Sequence, residues 1–243
     1  MVKIIILFAI VWAALAGSMN EDDCSEWHIR KLDQAPDWYL EALKATPSAP
    51  ESRVSDSLWR TDYRLSDEST LVHFRSDLRY EPGLGDGFPG ALYLYGKDTV
   101  RLDSSFGGYK APAFTADSTR CAVWERTEIN PDFSEGRIVM YELWNGSRTV
   151  VTLTIGTSKL AFSPSGWLAY RDWADLWVCD PWGYRSELIF KRGGSYAVGC
   201  GNPMWRYLSD IRWSPDGKSI VFKYIPGRGA EAKYELYEAY HSW

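Results

Sequence analysis

The chain has 243 residues, 45% hydrophobic and 24% charged, with 27 basic against 32 acidic side chains. With a mean hydropathy of −0.31, this composition excludes a disordered or collagen-like chain, and no basic block exists to serve as a nucleic-acid footprint. The unusual value is the aromatic content of 15%, with 13 Trp and 15 Tyr.

Residues 1–16 read MVKIIILFAIVWAALA. Lys3 gives a positive start, Ile4 to Leu15 an apolar run, and Ala14-Leu15-Ala16 a small-residue cleavage site. This predicts a secretory signal peptide, the other reading being an uncleaved anchor. No second long apolar run follows, so no membrane span is expected after cleavage and the mature chain is expected in the periplasm or secreted. Export would permit disulfides among Cys24, Cys121, Cys179 and Cys200, with three pairings open. No C-x-x-C spacing suggests a metal site.

Residues 17–52 form an N-terminal segment. Within it, 36–45 (PDWYLEALKA) predict a short helix, with Pro36 and Asp37 suited to its start and an apolar stripe through Tyr39 and Leu43. Thr46-Pro47-Ser48-Ala49-Pro50 ends it. The helix is read as packing on the main domain, or alternatively as a docking element for a partner.

From residue 53 to 243 an internal repeat is visible. Trp213-Ser214-Pro215-Asp216-Gly217 precedes the strand-like run Lys218 to Phe222, and Phe162-Ser163-Pro164-Ser165-Gly166 precedes Trp167 to Tyr170. Phe114-Thr115-Ala116-Asp117-Ser118 and Leu65-Ser66-Asp67-Glu68-Ser69 are fainter copies. The apolar anchors are 49, 48 and 51 residues apart. Each turn opens with a hydroxyl residue that can bond the backbone, and its fourth position is Gly or Ser. Bulky strands follow, at Leu92–Tyr95, Ile138–Tyr141, Leu176–Val178 and Tyr234–Tyr237. A period near 50 with room for about four strands per unit predicts an all-β protein: a small β-propeller of about four blades, each of four antiparallel strands, with a short N-terminal helix. Blade-to-blade packing then accounts for the aromatic load.

The Ser214-Pro215-Asp216-Gly217-Lys218 turn, flanked by Trp213 and Phe222, resembles the WD-like repeat of TolB-type propellers, as do residues 162–180 and, more faintly, 65–95 and 114–142. The resemblance implies a periplasmic or secreted β-propeller acting as a protein-binding scaffold. The chain departs from that family in having four units rather than six, and no room for a separate N-terminal domain. The same turn occurs in propellers of prolyl-oligopeptidase-type peptidases, whose hydrolase domain has no counterpart here.

No catalytic constellation emerges. Ser195, in Gly193-Gly194-Ser195-Tyr196-Ala197, lacks the strand-turn-helix setting of a nucleophile elbow. His28, His73 and His241 are scattered. Asp172 with Asp175, and Glu125 with Glu128, could serve a glycosidase only if the fold brought carboxylates together across a sugar. Asn145-Gly146-Ser147 reads as a β-turn, and as a glycosylation sequon in a eukaryotic source. The long connection Gly193 to Leu208 carries Tyr196, Trp205, Arg206 and Tyr207, residue types that dominate binding hot spots, and Trp173 is expected on the same face. The expected function is therefore an exported, non-catalytic scaffold binding a protein or glycan at one face, without cofactor or metal. The alternative is a carbohydrate-active enzyme. Finally, residues 53–60 are expected to pair beside Tyr234 to Tyr240 and close the ring, the rival being an open arc with a free edge.

Overall fold

A computed structural model describes residues 27–44, 51–66, 68–76, 90–96, 99–103, 112–126, 135–155, 159–172, 175–191, 207–225 and 233–241. Among the described residues there are one helix and seventeen strands, the strands forming four antiparallel sheets. Blade 1 has five strands: β2 (Glu51–Ser55), β3 (Leu58–Arg64), β4 (Thr70–Ser76), β5 (Gly90–Tyr95) and β6 (Thr99–Asp103). Blade 2 is β7 (Ala113–Phe114), β8 (Arg120–Arg126), β9 (Glu135–Glu142) and β10 (Arg148–Ile155). Blade 3 is β11 (Leu160–Phe162), β12 (Leu168–Asp172), β13 (Asp175–Cys179) and β14 (Ser186–Phe190). Blade 4 takes β15 (Tyr207–Trp213), β16 (Ser219–Ile225) and β17 (Glu235–His241), and its fourth strand is β1 (Trp27–Leu32) from the far end of the sequence. The fold is a four-bladed β-propeller of all-β class. Among the described residues no helix is long and apolar enough to cross a membrane. The signal segment lies outside them.

Strand alternation sends side chains to both faces of each blade, so each face needs a neighbour. Between blades 1 and 2, Leu71, Leu92 and Leu94 meet Cys121, Val123, Val139 and Tyr141. Between blades 2 and 3, Trp124, Ile138 and Met140 meet Leu168, Tyr170 and Cys179. Between blades 3 and 4 lies an aromatic core. Phe190 has its ring centroid 5.0 Å from Phe222, 5.5 Å from Tyr224 and 5.4 Å from Tyr237. The far face of blade 4 is covered by helix α1 (Asp37–Lys44), whose Tyr39 packs with Val221 and Leu236. The Tyr39 hydroxyl donates to the carbonyl of Asp210 at 2.9 Å. Burial pushes this phenol's pKa well above the ordinary tyrosine range.

The closing strand differs from the expectation. Residues 53–60 do not lie beside Tyr234 to Tyr240. They belong to the β2–β3 hairpin, where Arg53 pairs with Trp59 and Asp56 and Ser57 form the turn. The place beside β17 is taken by β1, with Trp27 opposite His241 and Leu32 opposite Leu236. Strand β1 and helix α1, within the N-terminal segment expected over 17–52, thus pack on blade 4. The reason is chemical fit. Trp27 reaches the blade 3–4 core, edge-on to Trp213 at 6.1 Å and to His241 at 5.4 Å. Arg30 and Lys31 pair with Glu238 and Glu235, at 2.5 Å and 2.6 Å. A turn at Asp56-Ser57 cannot run through the middle of a six-residue ladder.

Cys121 and Cys179 are unpaired and buried in different inter-blade cores. Desolvation pushes their thiols up to about 12 and about 11. Cys24 and Cys200 lie outside the described residues.

Two outcomes test this closure. A chain starting at Trp27 should melt as the chain starting at Gly17 does, whereas one starting at Asp33 should aggregate or lose much of its stability, because β17 becomes a bare edge. Phe190→Ala, read by denaturant unfolding, should cost about 3–5 kcal/mol through the cavity it leaves.

Candidate binding face

Four strands run alternately up and down a blade, so the first-to-second and third-to-fourth connections share one end. That end carries the repeat turns. In blade 4, Ser214 N–H donates to the Ser219 carbonyl (2.8 Å) and Gly217 N–H to the Ser214 carbonyl (2.9 Å). The Ser214 hydroxyl accepts from Ser219 N–H at 2.9 Å and donates to Asp216 Oδ1 at 2.6 Å. Thr115 and Asp117 repeat this in blade 2, at 3.1 Å and 2.6 Å. In blade 3, Ser163 Oγ accepts from Trp167 N–H at 2.9 Å. The fourth position is left-handed in all three, with φ of 56° at Ser118, 87° at Gly166 and 72° at Gly217, which accounts for the small residues there.

These turns also touch one another. Pro164 lies 3.5 Å from where a Cβ on Gly217 would be, so the turns of blades 3 and 4 abut. Arg120 of blade 2 donates through Nη1 to the Pro181 carbonyl of blade 3. A Cβ on Gly183 would lie 2.8 Å from Met140 Cε and 3.2 Å from Thr149 Cγ2, so the last turn of blade 3 is pressed onto blade 2.

On this braced end stand three large aromatic side chains in the open: Trp144 at 78% exposure, Trp182 at 67% and Tyr184 at 79%. Their backbones are fixed. Asp180 accepts from the N–H groups of Trp182, Tyr184 and Arg185 at 2.9, 3.2 and 2.9 Å. Gly146 N–H donates to the Glu142 carbonyl at 2.8 Å, and Asn145 Oδ1 accepts from Ser147 N–H at 2.8 Å. An ordered backbone thus lies under each exposed Trp and Tyr.

The binding residues expected from the sequence are different ones. Trp173, Tyr196, Trp205 and Arg206 lie outside the described residues, and of Tyr207 only the backbone position, opposite Ile225, is described. The strands flanking these segments do meet: Arg171, at the end of β12, donates through Nη1 to the Leu208 carbonyl at 2.9 Å. Trp144, Trp182 and Tyr184 were missed. Its signal was an aromatic beside a turn glycine, in Trp144-Asn145-Gly146 and Trp182-Gly183-Tyr184, where the tip of a hairpin leaves no core to enter.

Of the carboxylates considered for sugar cleavage, Glu125 has no exposed surface. Its Oε1 accepts from the Tyr141 hydroxyl and its Oε2 from Arg137 Nε, both at 2.7 Å, with Arg148 3.6 Å away. It is an internal ion pair on the blade 2 face that meets blade 1. Asp172 and Asp175 face each other across the β12–β13 hairpin, and Glu128 lies outside the described residues. Among the described residues no three His, Cys, Asp or Glu side chains converge as a metal would require.

No protein-family model matches the chain, and no curated protein matches it. Among solved structures it is similar to TolB from Acinetobacter baumannii, at 13% identity and a TM-score of 0.42, over 89% of this chain and 74% of that one. It is also similar to the β-propeller domain of the Trilobed protease from Pyrococcus furiosus, at 11% and 0.44, over 79% and 58%. A third is oligogalacturonate lyase from Vibrio parahaemolyticus, at 11% and 0.43, over 90% and 63%. These are likenesses of fold, and the blade count rests on the chain's own four sheets.

The turn chemistry has a pH signature. The Thr115 hydroxyl, then the Thr119 N–H and hydroxyl, hold the Asp117 carboxyl down at about 2. Asp216 is lowered likewise, chiefly by the Ser214 hydroxyl. Depressed carboxyls contribute stability that is present above the unfolded value near 4 and lost as the pH falls through the folded one. An NMR titration of the folded chain should place the Asp117 midpoint near 2. Asp117→Asn should remove part of the stability loss between about pH 4 and 2.

Proposed function

We propose that the chain is an exported, non-catalytic propeller that binds a partner protein through exposed aromatic side chains at the end bearing the repeat turns. The observation that carries this is the exposure of Trp144, Trp182 and Tyr184 on turns whose backbones are pinned. Aromatic side chains with no packing role, held on a rigid frame, are what a binding hot spot needs. Trp173, Tyr196, Trp205, Arg206 and Tyr207, expected from the sequence to share a face, are a second candidate surface for the same role. Export is supported by the leader-like residues 1–16.

Four measurements test the proposal. Mass spectrometry of chain recovered outside the cytoplasm should find Gly17 as the first residue. Affinity capture from the envelope should retain a partner that the Trp144→Ala, Trp182→Ala, Tyr184→Ala chain loses, at a cost of about 2 kcal/mol or more, some thirty-fold in Kd. The melting temperature of that variant should be nearly unchanged, since the side chains are exposed. If capture instead fails only for Trp205→Ala with Arg206→Ala, the connection Gly193 to Leu208 is the binding surface. Release of sugar products from polysaccharides by the purified chain would refute the non-catalytic reading.

A further inference from the structure

Blades 1 to 4 end at one edge on β6, β10, β14 and β1, each with a strand partner on one side only among the described residues. Such an edge pairs with another chain unless charge or proline guards it. Three of the four are guarded. Strand β6 carries Arg101 and Asp103, β14 carries Glu187, and β1 carries Arg30 and Lys31. Strand β10 reads RTVVTLTI, so from Thr149 to Ile155 it holds only threonine, valine, leucine and isoleucine. Its backbone is open at Leu153. Glu142 N–H donates to the Ser147 carbonyl, and bonded and non-bonded positions then alternate along β9. Arg137, opposite Leu153, falls on a non-bonded one, so the N–H and C=O of Leu153 point away from β9. That carbonyl accepts the Thr152 hydroxyl at 3.1 Å. The bulge at Val151 puts Val150 and Leu153 on one face, opposite Val139 and Arg137. Both stand in the open, Val150 at 46% exposure and Leu153 at 71%.

We propose that β10 pairs with β10 of a second copy of this chain, antiparallel about a two-fold axis at Leu153, joining blade 2 of each copy into one continuous sheet. The strand is its own complement. Pairing about Leu153 sets that leucine opposite its own copy and Thr152 opposite Thr154, apolar on apolar and hydroxyl on hydroxyl. The outward N–H and C=O of each Leu153 then bond those of the other, the exchange that an antiparallel bonded pair requires. No like charges oppose the contact. Arg148, the one charged residue of β10, is at its first position and lies 3.6 Å from Glu125. Arg137, beside Leu153, is held by Glu125 at 2.7 Å. The same self-pairing of β6, β14 or β1 would crowd Arg101, Glu187, or Arg30 and Lys31 against their own copies. A two-fold contact of one patch with itself closes at the dimer. This contact is independent of the partner surface at the hairpin tips.

The test is sedimentation of the mature full-length chain from micromolar to submillimolar concentration, with circular dichroism to confirm folding. The wild type should pass from monomer to dimer and no further. The Leu153→Lys and Leu153→Asp variants should each stay monomeric, because the two-fold axis sets two like charges face to face. An equimolar mixture of the two should dimerise again, since the same position then pairs Lys with Asp. A wild type that stays monomeric throughout, or grows beyond a dimer, overturns the proposal, as do variants that still dimerise or a mixture that does not. Leu153 is largely exposed, so both variants should fold. Amide hydrogen exchange of the wild type decides without any substitution: the Leu153 N–H should exchange more slowly as the dimer forms, and an exchange rate independent of concentration overturns the pairing.

Discussion

A four-stranded sheet with apolar side chains on both faces cannot stand alone in water, and this chain is organised around that constraint. Every inner face is closed by the next blade, chiefly through side chains such as Phe190, Trp124 and Leu71. The remaining faces of blades 4 and 1 are built differently. At blade 4 the chain folds residues 27–44 back. Strand β1 covers the edge of the sheet and α1 covers its face, with Tyr39 tied to the β15 bulge at Asp210. At blade 1 the face is filled by its own aromatic and arginine side chains instead. The difference between the two faces follows from the connectivity, since the segment preceding blade 1 packs on blade 4.

Blade spacing is set by small residues as much as by large ones. A side chain on Gly136 would place its Cβ 2.4 Å from Trp124 Cε2, so the indole occupies the space that a Cβ would need and can donate through Nε1 to Thr154 Oγ1 at 2.9 Å. Gly166 makes room for the Arg120 guanidinium, which bonds blade 3 from blade 2. The glycines near the turn end thus act between blades, and only partly within their own turns. That is why the turn end is stiff enough to hold large aromatics in solvent without their folding down onto the core.

How far the sequence speaks depends on the range of the interaction. The repeat turns are legible because their chemistry is local: Ser214, Asp216 and Gly217 specify one another's bonds within six residues. From their spacing, the blades and their number follow. The closing strand is not legible in the same way, because WHIRKL gains its meaning from Glu235, Glu238 and Trp213, some two hundred residues away. Residues 53–60 look equally strand-like and do form strands, but pair with their own neighbours. The aromatic residues divide similarly. Composition says that many must be buried, and Trp124, Trp213 and Trp27 do pack between strands, but it does not say which ones face outward. Trp144 and Trp182 are set apart only by their place at hairpin tips, a signal available once the third and fourth strands of each blade have been placed.

The buried Glu125 shows how the same fold separates stability from recognition. A carboxylate on a propeller blade suggests chemistry at the mouth, yet here two arginines and a tyrosine neutralise it on an inner face. Removing one partner would leave a buried charge uncompensated, so the cluster constrains how blades 1 and 2 meet rather than what the chain binds. The residues left for recognition are those that the packing does not use, the aromatics Trp144, Trp182 and Tyr184 at the hairpin tips. In a protein built by stacking repeated units, recognition falls to such tips, because the interior positions hold the next blade.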